Sequence, residues 1–271
     1  MKEFRLVRIS GKTPYERGVQ YGKAAREEIN NCIDTYHKHF DSARGMTWEK
    51  VQNLAAAYIP ESERQVPDML EEARGIAEGG GVDFIDIMAL NCRYEILHYP
   101  LQPECTAYAL QREATADGHV YIGQNWDNRP YLLPHTLLLH ITEEETGNII
   151  FGLTEAGQLI RNGFNNKGVG QCANSLRATL DKQGSGVPST FVRRQLLRLD
   201  NMDDMVKLIR TASRSVSVNY CLASCENKVG DVEAVPGQPV LFSPVDGIIT
   251  HANHLLVNRD LDTSSVRRFR G

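Results

Sequence analysis

The sequence predicts an α+β protein in which two packed antiparallel sheets are flanked by helices, and three observations lead there. Apolar positions in the first hundred residues recur at helical spacing. From Cys105 onward they fall into short runs separated by turn dipeptides, the grammar of hairpins. A helical pair near residues 189–212 then interrupts those runs before strands resume.

The first helix opens at Thr13-Pro14-Tyr15-Glu16, with Thr as N-cap, Pro at the first helical position and Glu completing a capping box. Tyr21, Ala24, Ala25, Ile29 and Ile33 carry it to about Phe40. A second helix runs from about Thr47 to Tyr58 and stops at Pro60. The third covers Ser62 to Glu78 and ends in Gly79-Gly80-Gly81, residues that leave a helix easily. The fourth runs from Asp83 to His98, before Pro100.

Strands are expected at Cys105 to Leu110 and Val120 to Asn125, joined around Asp117-Gly118. Leu137 to Thr142 and Ile149 to Thr154 form a second pair, and Leu159 to Phe164 and Val169 to Ala173 a third. Helices follow at Ser189 to Leu199 and Met202 to Ala212, then strands at Val216 to Ser224, Val229 to Val235 and Gly247 to His251. Glu143-Glu144-Glu145 reads as a solvated turn.

With 271 residues, 41% hydrophobic and 24% charged, the chain is ordinary globular material able to bury a sizeable core. A net charge of −4 argues against nucleic-acid or polybasic membrane binding. The N-terminus lacks the apolar core of a signal peptide, and no run approaches the roughly 18 apolar residues of a spanning helix. The expectation is a soluble cytoplasmic protein. Its cysteines, at 32, 92, 105, 172, 221 and 225, are too sparse for a disulfide scaffold. Cys221 and Cys225 with His251 and His254 invite a zinc reading, but without a CxxC they are better read as core thiols sharing one strand face. No cofactor is expected.

Chemistry concentrates at Cys105. It follows the Pro-punctuated break Tyr99-Pro100-Leu101-Gln102-Pro103-Glu104, and Gly123-Gln124-Asn125-Trp126-Asp127 closes the next strand. This arrangement suggests that the chain cuts itself at Glu104–Cys105. The new terminus would supply both a thiol and an amine, with ordinary pKa values of about 8.5 and 7.7–8.0, so the pair can share a proton without a histidine.

Cys105-Thr106-x-Tyr108, residues 123–127 and Gly168-Val169-Gly170-x-x-x-Asn174-Ser175 together resemble the acyl-coenzyme A:isopenicillin N acyltransferase family. These are self-processing N-terminal nucleophile proteins, related more distantly to choloylglycine hydrolases. The resemblance implies a four-layer αββα fold, with residues 1–104 a helical pro-segment and 105–271 the catalytic part. It implies Cys105 as nucleophile, Asp127 as the carboxylate orienting thiol and amine, and Asn174 as an oxyanion donor. Asp262-Thr263-Ser264-Ser265-Val266-Arg267-Arg268-Phe269 resembles the Ser-Ser-x-x-Arg-Phe segment of choloylglycine hydrolases, placing Arg268 (or Arg267) beside the nucleophile. Asn125, Tyr108 and His254 are supporting candidates, as is Asn253, and Trp126 and Cys172 read as packing.

The family implies thioester chemistry on an acyl amide or acyl-coenzyme A, with the two cleaved fragments remaining associated. Hydrolysis is favoured over transfer because water needs no acceptor site. The family has Gly before the cysteine of the penicillin enzyme, where this chain has Glu104. It also continues through further C-terminal structure where this chain stops at Gly271, so an uncovered sheet face or edge is expected. A papain-like protease is disfavoured by the missing Cys-Gly-Ser-Cys-Trp signature. A non-catalytic or uncleaved scaffold of the same fold is the alternative.

Overall fold

A computed structural model of the chain describes residues 3–97, 105–182 and 184–264. The chain enters through a strand that the sequence pattern did not announce. Arg5 to Gly11 form β1 (Arg5–Gly11), which turns Val7 and Ile9 into the core. The alternation is real but short, and the long helical period behind it dominates the N-terminal pattern.

Helix α1 (Pro14–Ala24) has the expected capping box, with Thr13 accepting from the Glu16 N–H. The expected single helix is two, because Ala25 leaves helical geometry at φ −116° and ψ 25° before α2 (Arg26–Arg44) begins. Helix α3 (Trp48–Ala56) follows as expected. The third expected helix is also divided, into α4 (Ile59–Gln65) and α5 (Pro67–Gly80). Pro60 and Pro67 each sit in a first turn, where a missing N–H costs no hydrogen bond, so they open helices rather than close them. Helices α6 (Phe84–Asn91) and α7 (Arg93–Leu97) complete this region.

Helices α1 and α5 touch through glycines. A Cβ on Gly18 would lie 2.1 Å from the Glu72 carbonyl oxygen, and one on Gly75 would lie 2.2 Å from that of Tyr15. The backbones themselves are in contact, which no side chain at these positions would permit.

Beyond Cys105 come β2 (Thr106–Leu110), β3 (Tyr121–Asn125), β4 (Thr136–Glu143), β5 (Asn148–Glu155), β6 (Asn162–Asn165) and β7 (Val169–Ser175). Helices α8 (Ser189–Leu196) and α9 (Met202–Thr211) interrupt, and β8 (Val218–Ser224), β9 (Lys228–Val235), β10 (Gln238–Phe242) and β11 (Ile248–His251) follow. Among the described residues, eight strands form one sheet in the order β1-β4-β5-β6-β7-β8-β9-β10, parallel only where β1 meets β4. The order β11-β2-β3 makes a second, small antiparallel sheet.

The large sheet is buried on both faces. One face joins the main core, where Val169, Ala173, Tyr220, Leu222, Val232 and Ala234 lie with the helices. On the other face, Cys172, Cys221, Ala223 and Val229 pack against Ala107, Ala109 and Ile249 of the small sheet. Helix, sheet and sheet layers of the expected αββα stack are thus in place. Among the described residues, Tyr108, Tyr121 and Ile248 on the outer face of the small sheet stay exposed.

Two expectations about side chains are corrected. Glu143 is not solvated: it is 1% exposed and meets Arg194 at 2.7 Å, and Arg194 also holds Glu72 of α5 at 2.9 Å. A carboxylate at the end of β4 is buried here because α8 brings it a guanidinium. Cys225 does not share a face with Cys221, since β8 ends at Ser224 and the chain turns through Asn227 at φ 66°. Cys221 is buried and Cys225 is exposed.

Candidate active site

The β2–β3 register pairs Thr106 with Asn125, which sets Cys105 across from Trp126 and Asp127 at the open end of the hairpin. Cys105 is 7% exposed and lies on the inner side, in step with Ala107. Burial pushes the thiol above its usual range, outweighing the Asp127 N–H and the Arg161 guanidinium, which both pull it down. The Asp127 side chain itself is exposed.

The nitrogen of Cys105 is also held. Its N–H donates to Asn253 Oδ1 at 2.7 Å, and Asn253 Nδ2 donates to the Ser175 carbonyl at 2.9 Å and to its hydroxyl at 3.1 Å. Asn253 is 2% exposed and follows β11, whose last residue, His251, pairs with Ala107.

Asn174 is close by but differently engaged. Its Nδ2 donates to the carbonyls of His251, at 2.9 Å, and Ala252, at 3.2 Å, and its Oδ1 accepts from Gln124 at 2.6 Å. Gln124 in turn accepts from Asn162 at 2.6 Å. Both amide hydrogens expected for an oxyanion therefore already have backbone acceptors, because β7 runs directly beneath the segment after β11.

Tyr108 and Asn125 lie on the outer side of the hairpin, opposite Cys105, as period-two alternation requires. Tyr108 folds over Gly123, where a Cβ would stand 2.5 Å from its hydroxyl. His254 is half-buried, its ring 6.5 Å from that of His251. Glu104, Arg267 and Arg268 lie outside the described residues.

Arg161 was not foreseen from the sequence. It is 9% exposed, stacks over Trp126 at 4.6 Å, and reaches Glu155 at 3.0 Å. Fully buried, Glu155 also accepts from Arg93 and Asn128 at 3.0 Å and from Gln158 at 2.9 Å. Burial alone would raise the Glu155 carboxyl, but Arg93 and Arg161 hold it below its usual range. The available signal was an arginine directly after Leu159-Ile160, an isolated charge in an apolar run.

This arrangement holds a thiol, the amide nitrogen attached to the same residue, and a buried cation in one place. It suits a nucleophile whose own nitrogen takes part.

The family model described as acyl-coenzyme A:6-aminopenicillanic acid acyl-transferase matches residues 114–270, a range that includes Asp127, Arg161, Asn174 and Asn253 and begins after Cys105. The 40 kDa form of acyl-coenzyme A:6-aminopenicillanic-acid-acyltransferase from Emericella nidulans is 28% identical over 257 residues, covering 91% of this chain and 68% of that protein. An uncharacterised protein of Archaeoglobus fulgidus is 24% identical over 255 residues, covering 79% of this chain and 40% of its own length. Among solved structures, a mutant conjugated bile acid hydrolase from Clostridium perfringens is similar over 57% of this chain and 54% of that one, with 13% identity and a TM-score of 0.39.

Proposed function

The chain belongs to the acyl-coenzyme A:6-aminopenicillanic acid acyl-transferase family, and on that premise we propose that it is a self-processing N-terminal cysteine amidohydrolase or acyltransferase. One observation carries the reading: the nitrogen of the buried Cys105 is held by Asn253 Oδ1 at 2.7 Å, at the end of the hairpin where Asp127 faces it.

In the uncut chain the Cys105 thiol attacks the Glu104 carbonyl, and the C–N bond breaks as the C–S bond forms. The proton leaving sulfur ends on the departing nitrogen, which Asn253 already receives as a donor. Water then hydrolyses the thioester, leaving residues 1–104 as a separate fragment ending in a free Glu104 carboxyl. The raised thiol supports a precursor in which Cys105 is protonated and at rest.

After cleavage the Cys105 amine, with a pKa of about 8 in the ordinary case, takes the thiol proton. The thiolate attacks an acyl amide or acyl-coenzyme A, the leaving group takes the proton from the amine, and water or an acceptor amine resolves the thioester. Arg161 favours the thiolate by charge. Asp127 orients the new amine once that amine is free to turn toward its carboxylate. Asn174 fixes the backbone of residues 251–252 and so the position of Asn253. The chain's own residues supply these proton transfers.

Intact mass spectrometry of fresh protein beside Cys105→Ala tests the reading. Fragments 1–104 and 105–271 are expected, and the variant should remain whole. A wild-type chain that stays uncut, with no preferential labelling of Cys105 by a thiol reagent, would favour the scaffold reading instead.

A further inference from the structure

We infer that the buried Glu233–His251 pair is a positioning device for this site, anchoring residues 251–257 so that Asn253 stays on the nitrogen of Cys105. The inference rests on the reading of Cys105 as nucleophile. Glu233 reaches across from β9 and is fully buried. Its Oε1 stands 3.1 Å from His251 Nε2 and also accepts the Leu256 N–H, while Oε2 accepts the Val257 N–H at 3.2 Å. One carboxylate thereby holds both ends of a short segment. Asn253, between those ends, is the residue of the segment that touches Cys105.

The pair is ionic by geometry. His251 Nδ1 lies 2.8 Å from the Ala252 carbonyl and Nε2 faces Glu233, so both ring nitrogens must donate, which only the imidazolium does. Burial works against the charged ring, but the Glu233 hydrogen bond, Asp231 and the Ala252 carbonyl together hold it above the usual histidine value. Glu233 is held below its usual range, burial being outweighed by His251 and the Leu256 and Val257 amides.

Among the described residues, the groups facing the ring are few. From β9 come Asp231 and Glu233, from β10 the Phe242 ring at 5.8 Å, and from the same segment the His254 ring at 6.5 Å. From β7, the neutral Asn174 meets His251 at its backbone carbonyl. Asp231 is fully buried, accepts from Asn219 at 3.2 Å, and is pushed up by burial to about 7. Its charge therefore joins the pair near neutral pH. The sign for His251 follows from its raised value: the clamp is complete below the ordinary histidine pKa and is lost only as pH rises through the raised one.

The test compares wild type, Glu233→Gln and His251→Gln, with Cys105→Ala as control. Acylation is read as the p-nitrophenolate burst from p-nitrophenyl acetate across pH, and the His251 ring by ¹⁵N NMR. Glu233→Gln should slow acylation about 10- to 100-fold with KM little changed, the order of loss that a misplacement near 1 Å produces. It should also return His251 to an ordinary titration and move the alkaline limb of the profile toward neutrality. Folded Glu233→Gln and His251→Gln proteins with wild-type rate and profile overturn the inference. Should Glu233→Gln not fold, His251→Gln decides alone, since it keeps a donor toward Glu233 but carries no charge. Acylation that survives in Cys105→Ala overturns the nucleophile reading itself, whatever Glu233 does.

Discussion

At Cys105 opposing influences meet on one sulfur: burial raises its pKa, while the Asp127 N–H and Arg161 lower it. Arg161→Leu removes the cation and leaves Glu155 paired with Arg93, so the fold should survive. The Cys105 thiol should then titrate higher, and iodoacetamide alkylation near neutral pH should slow, by about tenfold if the thiol pKa rises by about one. An unchanged pH–rate profile would remove Arg161 from the site. The approach of Cys105 to residue 127 was legible because one hairpin brings the two together. Asn174 was expected to donate to an oxyanion, and the partners that its amide has instead could not be read from the sequence. Those belong to residues 251–252, far along the chain, and only strand stacking brings them over β7.

Helix and strand boundaries show the same division between local and non-local causes. The Thr13 capping box, the Gly81 cap in the left-handed region and the β2–β3 hairpin all rest on contacts within a few residues, and all three were readable. The glycine contact between α1 and α5 was not, since nothing in either helix alone says that the other lies against it. Gly75→Ala should cost about 1–3 kcal/mol despite the better helix propensity of alanine, because the new Cβ meets the Tyr15 carbonyl rather than a movable side chain. A denaturant midpoint equal to wild type would show that the helices can part without cost. β1 escaped notice because a seven-residue strand ahead of long helices leaves little period to detect, and its partner β4 lies more than a hundred residues on.

For the whole molecule, the cut at Glu104–Cys105 would divide the chain but not the core. Tyr21, Ile29, Tyr36, Ile76 and Leu90 from the N-terminal part share one apolar cluster with Leu137, Ile150, Leu159 and Phe191 from the other. Burial on this scale should hold the fragments together, so the processed protein should elute at the mass of the intact chain and separate only in denaturant. Fragments that part under native conditions would mean that residues 1–104 are a removable pro-segment. The sequence by itself determined the α+β class, the change from helices to hairpins at Cys105, and the juxtaposition of Cys105 with Asp127. Each follows from periodicity and turn chemistry acting over a few residues. Only the tertiary structure decided that Asn253 meets the Cys105 nitrogen, that the Asn174 amide is taken up by the carbonyls of residues 251–252, that the buried Arg161 acts on the thiol by charge, and that Glu233 accepts from the segment between. Those pairings depend on strand register and on how two sheets stack, and such side-chain directions are set by contacts between residues distant in the chain.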